Sequence, residues 1–431
     1  MRPGSLGRAE GTALCVAAVL GPGVLALPAV ATAAAGPASI VAWAGLLALS
    51  APVAGSFAAL GARLPDGGGA AAFAARAFGP RVAASVGWWF FFAVPFGVVA
   101  AALVGGHYVA EALGWGQAGA LVVAGALLAA AFAANYVGLR FTGRVQLLLV
   151  AVLVALLASA TLAAAPELDW AHFTPFLPHG WGGVAHAVSV LFFAFAGWEA
   201  ISHLSGEFRA PRRDLPQVTT VAVVVVGVVY LALAVTSIGV LGARGGSTAV
   251  PLTLLLERGI GGAAGIVACA AAVLLCFGAV NTYLAGGARL GASLAREATL
   301  PAWLAPGGRP GEVPRRSVTA LGVLSAAVLV AVALGACSLD TLMRATSACL
   351  AAVTCAGCLA AARLLSGARR YAAITASTST AVVLAFCGPF LILPALLGAA
   401  ALTYATATAS HRRTGPSSGQ QRTRTPTGAQ P

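Results

Sequence analysis

Along the chain, uncharged apolar residues run on for about twenty positions at a time, the length a helix needs to cross a bilayer at about 1.5 Å per residue. Polar residues collect in short joins rich in Arg, Pro and Gly. Twelve such stretches are present, over residues 12–35, 37–62, 82–110, 117–136, 145–165, 183–206, 217–241, 262–288, 317–336, 341–362, 371–387 and 389–408. Only Cys387, Gly388 and Pro389 divide the last two. Apolar and polar positions do not alternate with period 2 over the roughly ten residues of a barrel strand. A helix pairs its backbone N–H and C=O groups inside one segment, as hydrocarbon demands. The pattern therefore predicts an all-α integral membrane protein with about twelve transmembrane helices, numbered here as segments 1 to 12. A short N-terminus (1–11) precedes the transmembrane domain (12–408), and the tail (409–431) has a polar, Pro-containing composition that predicts disorder. No small-residue cleavage site follows a short apolar core near Arg2 and Arg8, so segment 1 is expected to stay attached. The 64–81 join, rich in Gly and Ala with Phe73 and Phe78, is expected to form a short interfacial helix.

Composition agrees with this pattern: 59% of residues are hydrophobic and 9% charged, with a mean hydropathy of +0.91. Such a chain is not a soluble domain. With the N-terminus inside, 22 of the 25 basic residues, all Arg, fall in cytoplasmic joins or in the termini. Arg244 and Arg258 lie outside, and Arg344 sits early in segment 10, where it either snorkels or makes a gating contact. The positive-inside rule then predicts both termini in the cytoplasm of a bacterial inner membrane. The net charge of +13 thus reflects topology and not nucleic-acid binding, because its residues form no single patch with interleaved aromatics. The eight cysteines lie in or beside apolar runs, and the Cys355/Cys358 pair lacks a second pair or a nearby His. No metal or cofactor is expected, and no pattern in the chain bears on oligomeric state.

Chemistry concentrates at two places. Segment 1 reads LCVAAVLGPGVLALPAV, with Gly21, Pro22 and Gly23 at its midpoint. Gly costs about 1 kcal/mol and Pro about 3 kcal/mol relative to Ala inside a helix. The step is either a kink that aids packing or an unwound joint between half-helices. Segment 6 has its own weak point at Ala194 to Trp198, followed by Glu199 in an otherwise apolar run. A carboxylate at membrane depth costs a few kcal/mol and usually faces a protein interior or a water path. Interruptions in corresponding segments of two halves favour the joint and point to a transport site. Such joints expose N–H groups that attract a carboxylate and C=O groups that attract an ammonium, and an α-amino acid carries both. Glu199 and His203 are four apart and share a helix face. Glu199 is expected to change protonation or partner during the cycle, with His203 as its relay; the alternative is a permanently hydrogen-bonded Glu that steadies the break. Asn281 and Thr282 are thin provision for a sodium site in segment 8. The lack of other charges near the breaks favours a neutral, apolar substrate.

The stretches LGPGVLALP, LPDGGGAAAFAARAFGPRVAASVGWWFF and FFAFAGWEAISHLSGEFRAPRRDLP resemble the amino acid, polyamine and organocation transporter superfamily, and within it the branch of methionine and branched-chain amino acid exporters. The resemblance implies a 5+5 inverted repeat (LeuT-like) with discontinuous helices 1 and 6. Its first repeat would cover 12–165, its second 183–362, and two additional helices 371–408. It implies that the backbone at Gly21, Pro22 and Gly23 receives the substrate carboxylate, that Phe193 acts as a gate, and that carbonyls around Phe195, Ala196 and Gly197 hold the amine. The superfamily usually has Ser or Thr where Pro22 stands, so carboxylate binding would rest on the amides of Gly23, Val24 and Leu25. The implied activity is secondary active transport of neutral amino acids, outward for methionine and branched-chain substrates, by alternating access with proton coupling. An importer or exchanger of the same superfamily, or a non-transporting sensor on a transporter fold, are the alternatives. No Ser-His pair or HExxH supports an enzyme.

Overall fold

In a computed structural model of the chain, the structure describes residues 7–64, 69–138, 143–199, 208, 210–307 and 312–414. Every predicted segment carries a helix, and no strand occurs among the described residues. Segment 1 is split into α1 (Arg8–Val19) and α2 (Gly23–Ala35), and segment 2 is α3 (Ser39–Arg63). A short α4 (Gly69–Phe78) fills the 64–81 join, with Phe73 and Ala74 buried and Phe78 exposed. Segments 3 to 6 are α5 (Pro80–Leu113), α6 (Gly116–Tyr136), α7 (Gly143–Ala164) and α8 (Gly180–Phe195). Segment 7 is α9 (Pro211–Leu241), and the short α10 (Pro251–Ile260) leads to segment 8, α11 (Ala264–Arg296). Segments 9 to 12 are α12 (Arg315–Ala333), α13 (Leu339–Leu364), α14 (Ala368–Phe386) and α15 (Ile392–Thr414). Among the described residues, nine helical stretches are by themselves long and apolar enough to cross a membrane. The count is below twelve because a 3-10 turn at Gly36–Ala38 fuses α2 to α3, α8 is a short half-segment, and the Ser- and Thr-rich α14 is less apolar.

Packing follows the segment numbers. Segment 1 lies on 6 (α2 on α8), 2 on 7 (α3 on α9) and 3 on 8 (α5 on α11), the n to n+5 relation that two inverted five-helix halves produce. The most apolar window of α13 is 83% buried, whereas that of α15 is 17% buried. Outward-facing Val122, Leu148, Ile266 and Leu396 are each more than half exposed, an apolar surface that only lipid covers without penalty. Small residues let the helices approach: a Cβ at Gly106 would lie 2.2 Å from Ala120 O, so α5 and α6 touch backbone to backbone there. Asn135 Nδ2 donates to Asn281 Oδ1 at 2.8 Å, a polar stitch between segments 4 and 8.

Several arginines gather at one end of the bundle. There Arg8 Nε donates to Asp214 Oδ1 at 2.8 Å, Arg63 to Leu364 O at 3.3 Å, and Arg363 lies 5.5 Å from the Phe78 ring centre. Both α1 and the end of α15 reach this face, the latter through Thr408, which bonds Ala298 O.

Candidate functional site

The first break falls on the Gly-Pro-Gly step. α1 stops at Val19 and α2 starts at Gly23, leaving Leu20, Gly21 and Pro22 non-helical. Pro22 precedes the first helical residue, where its missing N–H removes no intrahelical bond. The amides that follow are not equivalent. Val24 N–H donates to Gly21 O at 3.2 Å and Leu25 N–H to Pro22 O at 3.1 Å, tightening the first turn. Gly23, as the first residue of α2, has no acceptor for its N–H within that helix.

The second break begins where α8 ends at Phe195. Ala196 is extended with ψ 143°, and Gly197 has φ +127°, a conformation that favours glycine. A Cβ on Gly197 would also lie 2.3 Å from Ala18 O, so segment 6 bends against the backbone of segment 1 just before its own break. The Gly197 N–H donates to Glu199 Oε2 at 3.0 Å, which folds the carboxylate back over the break. Glu199 is buried, with Tyr283 and Cys358 in electrostatic reach. His203 lies outside the described residues.

Tyr230 of α9 ties the two breaks together. Its hydroxyl is 3.0 Å from Val19 O and 3.1 Å from Ala194 O, so one proton is shared between carbonyls of the two interrupted segments. Its ring meets Trp43 at 5.1 Å and Phe195 at 5.2 Å, both edge-on. Tyr108 of α5 donates to Leu25 O at 2.9 Å and accepts from Leu252 N–H at 3.3 Å, securing α2 to segment 3 and to α10. Trp198 Nε1 donates to Ser50 Oγ at 3.1 Å, anchoring segment 6 on segment 2.

Between the breaks lies a small, mainly apolar cavity. Gly21, Pro22 and Gly23 form one wall, and Phe193, Ala194 and Ala196 form another. Segment 3 adds Phe90 and Gly97, segment 8 adds Tyr283, and segment 10 adds Thr346 and Leu350. A Cβ on Gly23 would stand 3.0 Å from Phe193 Cδ1, so the Gly23 backbone and the Phe193 ring face each other closely. Val24, Leu25, Phe195, Gly197 and Glu199 do not border the cavity. Phe195 turns instead into the Trp43 and Tyr230 cluster. Apart from backbone, the polar groups on the wall are the Tyr283 hydroxyl and that of Thr346, which donates to Leu342 O at 2.8 Å.

The end opposite Arg8, Arg63 and Arg363 is held by a cluster between α8 and α13. His186 Nε2 is 2.9 Å from Asp340 Oδ1, Arg344 Nη1 is 3.9 Å from Asp340 Oδ2, and Arg344 Nε donates to Ser189 Oγ at 3.3 Å. The Arg344 guanidinium also lies 4.5 Å from the Phe390 ring centre. Arg344 thus makes a contact between segments, and the reading from sequence did not foresee its partners His186 and Ser189. Tyr230, Tyr108, Gly97 and Thr346 were missed too. Each is a lone small or polar residue in an apolar helix, with no local signal to mark it.

An all-helical multi-pass bundle that brings two broken segments together around a central cavity is the build of a membrane permease. The chain belongs to the amino acid permease family, whose pattern it matches over residues 6–416. It is similar to the uncharacterized amino acid permease YecA of Bacillus subtilis (strain 168), with 33% identity covering 94% of this chain and 96% of the relative. It is also similar to the L-methionine/branched-chain amino acid exporter YjeH of Escherichia coli (strain K12), at 32% identity over 66% of this chain and 68% of that protein. A third relative is an uncharacterized transporter of Mycobacterium bovis, 31% identical over 75% of this chain and 73% of its own length.

Proposed function

We propose that the protein is a secondary active exporter of neutral, apolar amino acids, methionine and branched-chain residues foremost, in a bacterial cytoplasmic membrane. Its arginine-rich end, with both termini, faces the cytoplasm. The observation that carries this reading is the cavity wall. Its polar groups are mostly backbone at two adjacent breaks, which suits a zwitterion, while Phe90, Phe193 and Leu350 suit an apolar side chain. The substrate carboxylate sits at the Gly23 N–H and the start of α2, where the helix dipole adds to the attraction. The ammonium sits at the carbonyls of the second break around Ala196, and Phe193 is the lid. The Val24 and Leu25 amides, engaged in their own turn, shape the joint and do not touch the carboxylate. Glu199, bound to the Gly197 amide, couples the hinge of segment 6 to a proton, with His203, four residues on, as its relay. Outward transport draws its support from similarity to the Escherichia coli exporter.

The test is flux of labelled methionine and leucine in proteoliposomes of known orientation, with and without an imposed pH gradient. Gly23→Leu places a side chain where a Cβ alone would stand 3.0 Å from Phe193. The native chain is expected to show gradient-sensitive flux and Gly23→Leu none, with correct insertion of both. Absence of flux for every neutral amino acid in the folded native chain would overturn the reading.

A further inference from the structure

At the arginine-rich end, away from the central cavity, a second pocket of about 730 Å³ lies between α3, α9 and α14. Three guanidinium groups rim it: Arg63 at the last residue of α3, Arg212 in the first turn of α9 and Arg369 in the first turn of α14. Among the described residues, none of the three pairs with a carboxylate; Arg63 spends one N–H on Leu364 O. The starts of α9 and α14 add the positive ends of two helix dipoles at the same level. On the wall is Thr219, 4% exposed, whose hydroxyl has no hydrogen-bond partner among the described residues. It is one of seven buried hydroxyls without a partner among the described residues, and it shares this pocket's wall with the three arginines.

The shape of the pocket narrows the class of ligand. It runs from Arg63 back to Ala51 on α3 and from Arg212 on to Val224 on α9. Each is a path of twelve residues, or about 18 Å along a helix. A free phosphate is far shorter. The distance instead approximates one leaflet, since half of the hydrocarbon core is about 15 Å. The walls beyond the arginines are small and apolar, and the pocket opens sideways where Ala51 and Gly55 are exposed and Val224 is 58% exposed, on the surface that lipid covers. The geometry points to a bound acidic phospholipid. Its phosphate is clamped by Arg63, Arg212 and Arg369 above Thr219, and an acyl chain lies in the Ala- and Gly-lined groove between segments 2 and 7. Basic pockets between helices at a membrane face recognise anionic headgroups by the same physics. This site is independent of the substrate reading, and the Arg8 and Asp214 pair stands only two residues from Arg212.

The test uses the full-length protein, delipidated in detergent. Phosphatidylglycerol is titrated against phosphatidylcholine of the same chains and against inorganic phosphate, with occupancy read by native mass spectrometry. Phosphatidylglycerol is expected to bind preferentially. The pair Arg212→Gln and Arg369→Gln is expected to weaken it about thirtyfold. Arg81→Gln, a change at an exposed arginine of the same end outside the pocket, is expected to leave it unchanged. Equal binding of phosphatidylcholine, or equal affinity in the double variant folded as judged by its unliganded melting curve, overturns the proposal. So does displacement of the lipid by inorganic phosphate at matching concentration, which would make this a free-anion site.

Discussion

Glycine and glutamate do opposite things at the second break, and both are needed to hold it open. Gly197 supplies a backbone conformation with φ +127° and the room for Ala18 O, while Glu199 satisfies the N–H that the bend exposes. Gly197→Ala combines a strained φ with a 2.3 Å approach to backbone that cannot yield. It is expected to cost about 2–4 kcal/mol, seen as a lower melting temperature and a poor monodisperse yield in detergent. Glu199→Gln separates structure from coupling. The glutamine carbonyl still accepts from the Gly197 amide, so folding and insertion should persist, but the side chain no longer exchanges a proton. Transport is expected to fall and lose its dependence on pH; a variant with the native pH profile would leave Glu199 a structural cap alone. The glycines and the glutamate were legible because each is anomalous in its local run. Tyr230 was not, since one tyrosine in a valine-rich helix says nothing until folding sets it against carbonyls 211 and 36 residues away.

At both ends of the bundle, helices are joined by contacts that water can loosen. At one end α8 meets α13 through His186, Asp340 and Arg344; at the other α1 meets α9 through Arg8 and Asp214. The side chains of His186 and Asp340 are 39% and 32% exposed, which puts their pairing among the weak, screened ones. Asp340→Asn is therefore expected to speed hydrogen exchange over the first turns of α8 by about two- to fivefold, with α5 and α11 unchanged. Uniform acceleration across the bundle would instead mean general destabilisation. Segment 1 shows how far local chemistry reaches at this scale. Gly-Pro-Gly foretold a break within three residues, but the use of the Val24 and Leu25 amides in the first turn of α2 depends on how tightly the chain winds after Pro22. The thin divide between segments 11 and 12 held for a similar reason: Gly388, with φ +54°, turns the chain where a helix would otherwise continue.

Over the whole molecule, Arg8, Arg63, Arg212, Arg363 and Arg369, α1 and the end of α15 share one face. An alkaline phosphatase fusion at Ser247, in the join between α9 and α10, is expected to be active outside the membrane, and a fluorescent protein at the C-terminus to fluoresce inside the cell. The reverse pattern would invert the proposed orientation. The all-helical, multi-pass character and the two weak points followed from the sequence alone, because bilayer thickness sets run length and backbone satisfaction leaves helices as the solution for such runs; the helix ends did not, since α11 runs on to Arg296 and the short α10 lies in a join. What only the tertiary structure decided is which side chains meet. Segments 1 and 6 close around a cavity with Gly97, Tyr283 and Thr346 on its wall, while Phe195 turns away and Tyr230 bridges the breaks. Along apolar helices nearly every face reads alike, so the pattern of apolar runs does not say which face finds a neighbour; packing of small residues and the pairing of a few buried polar groups do.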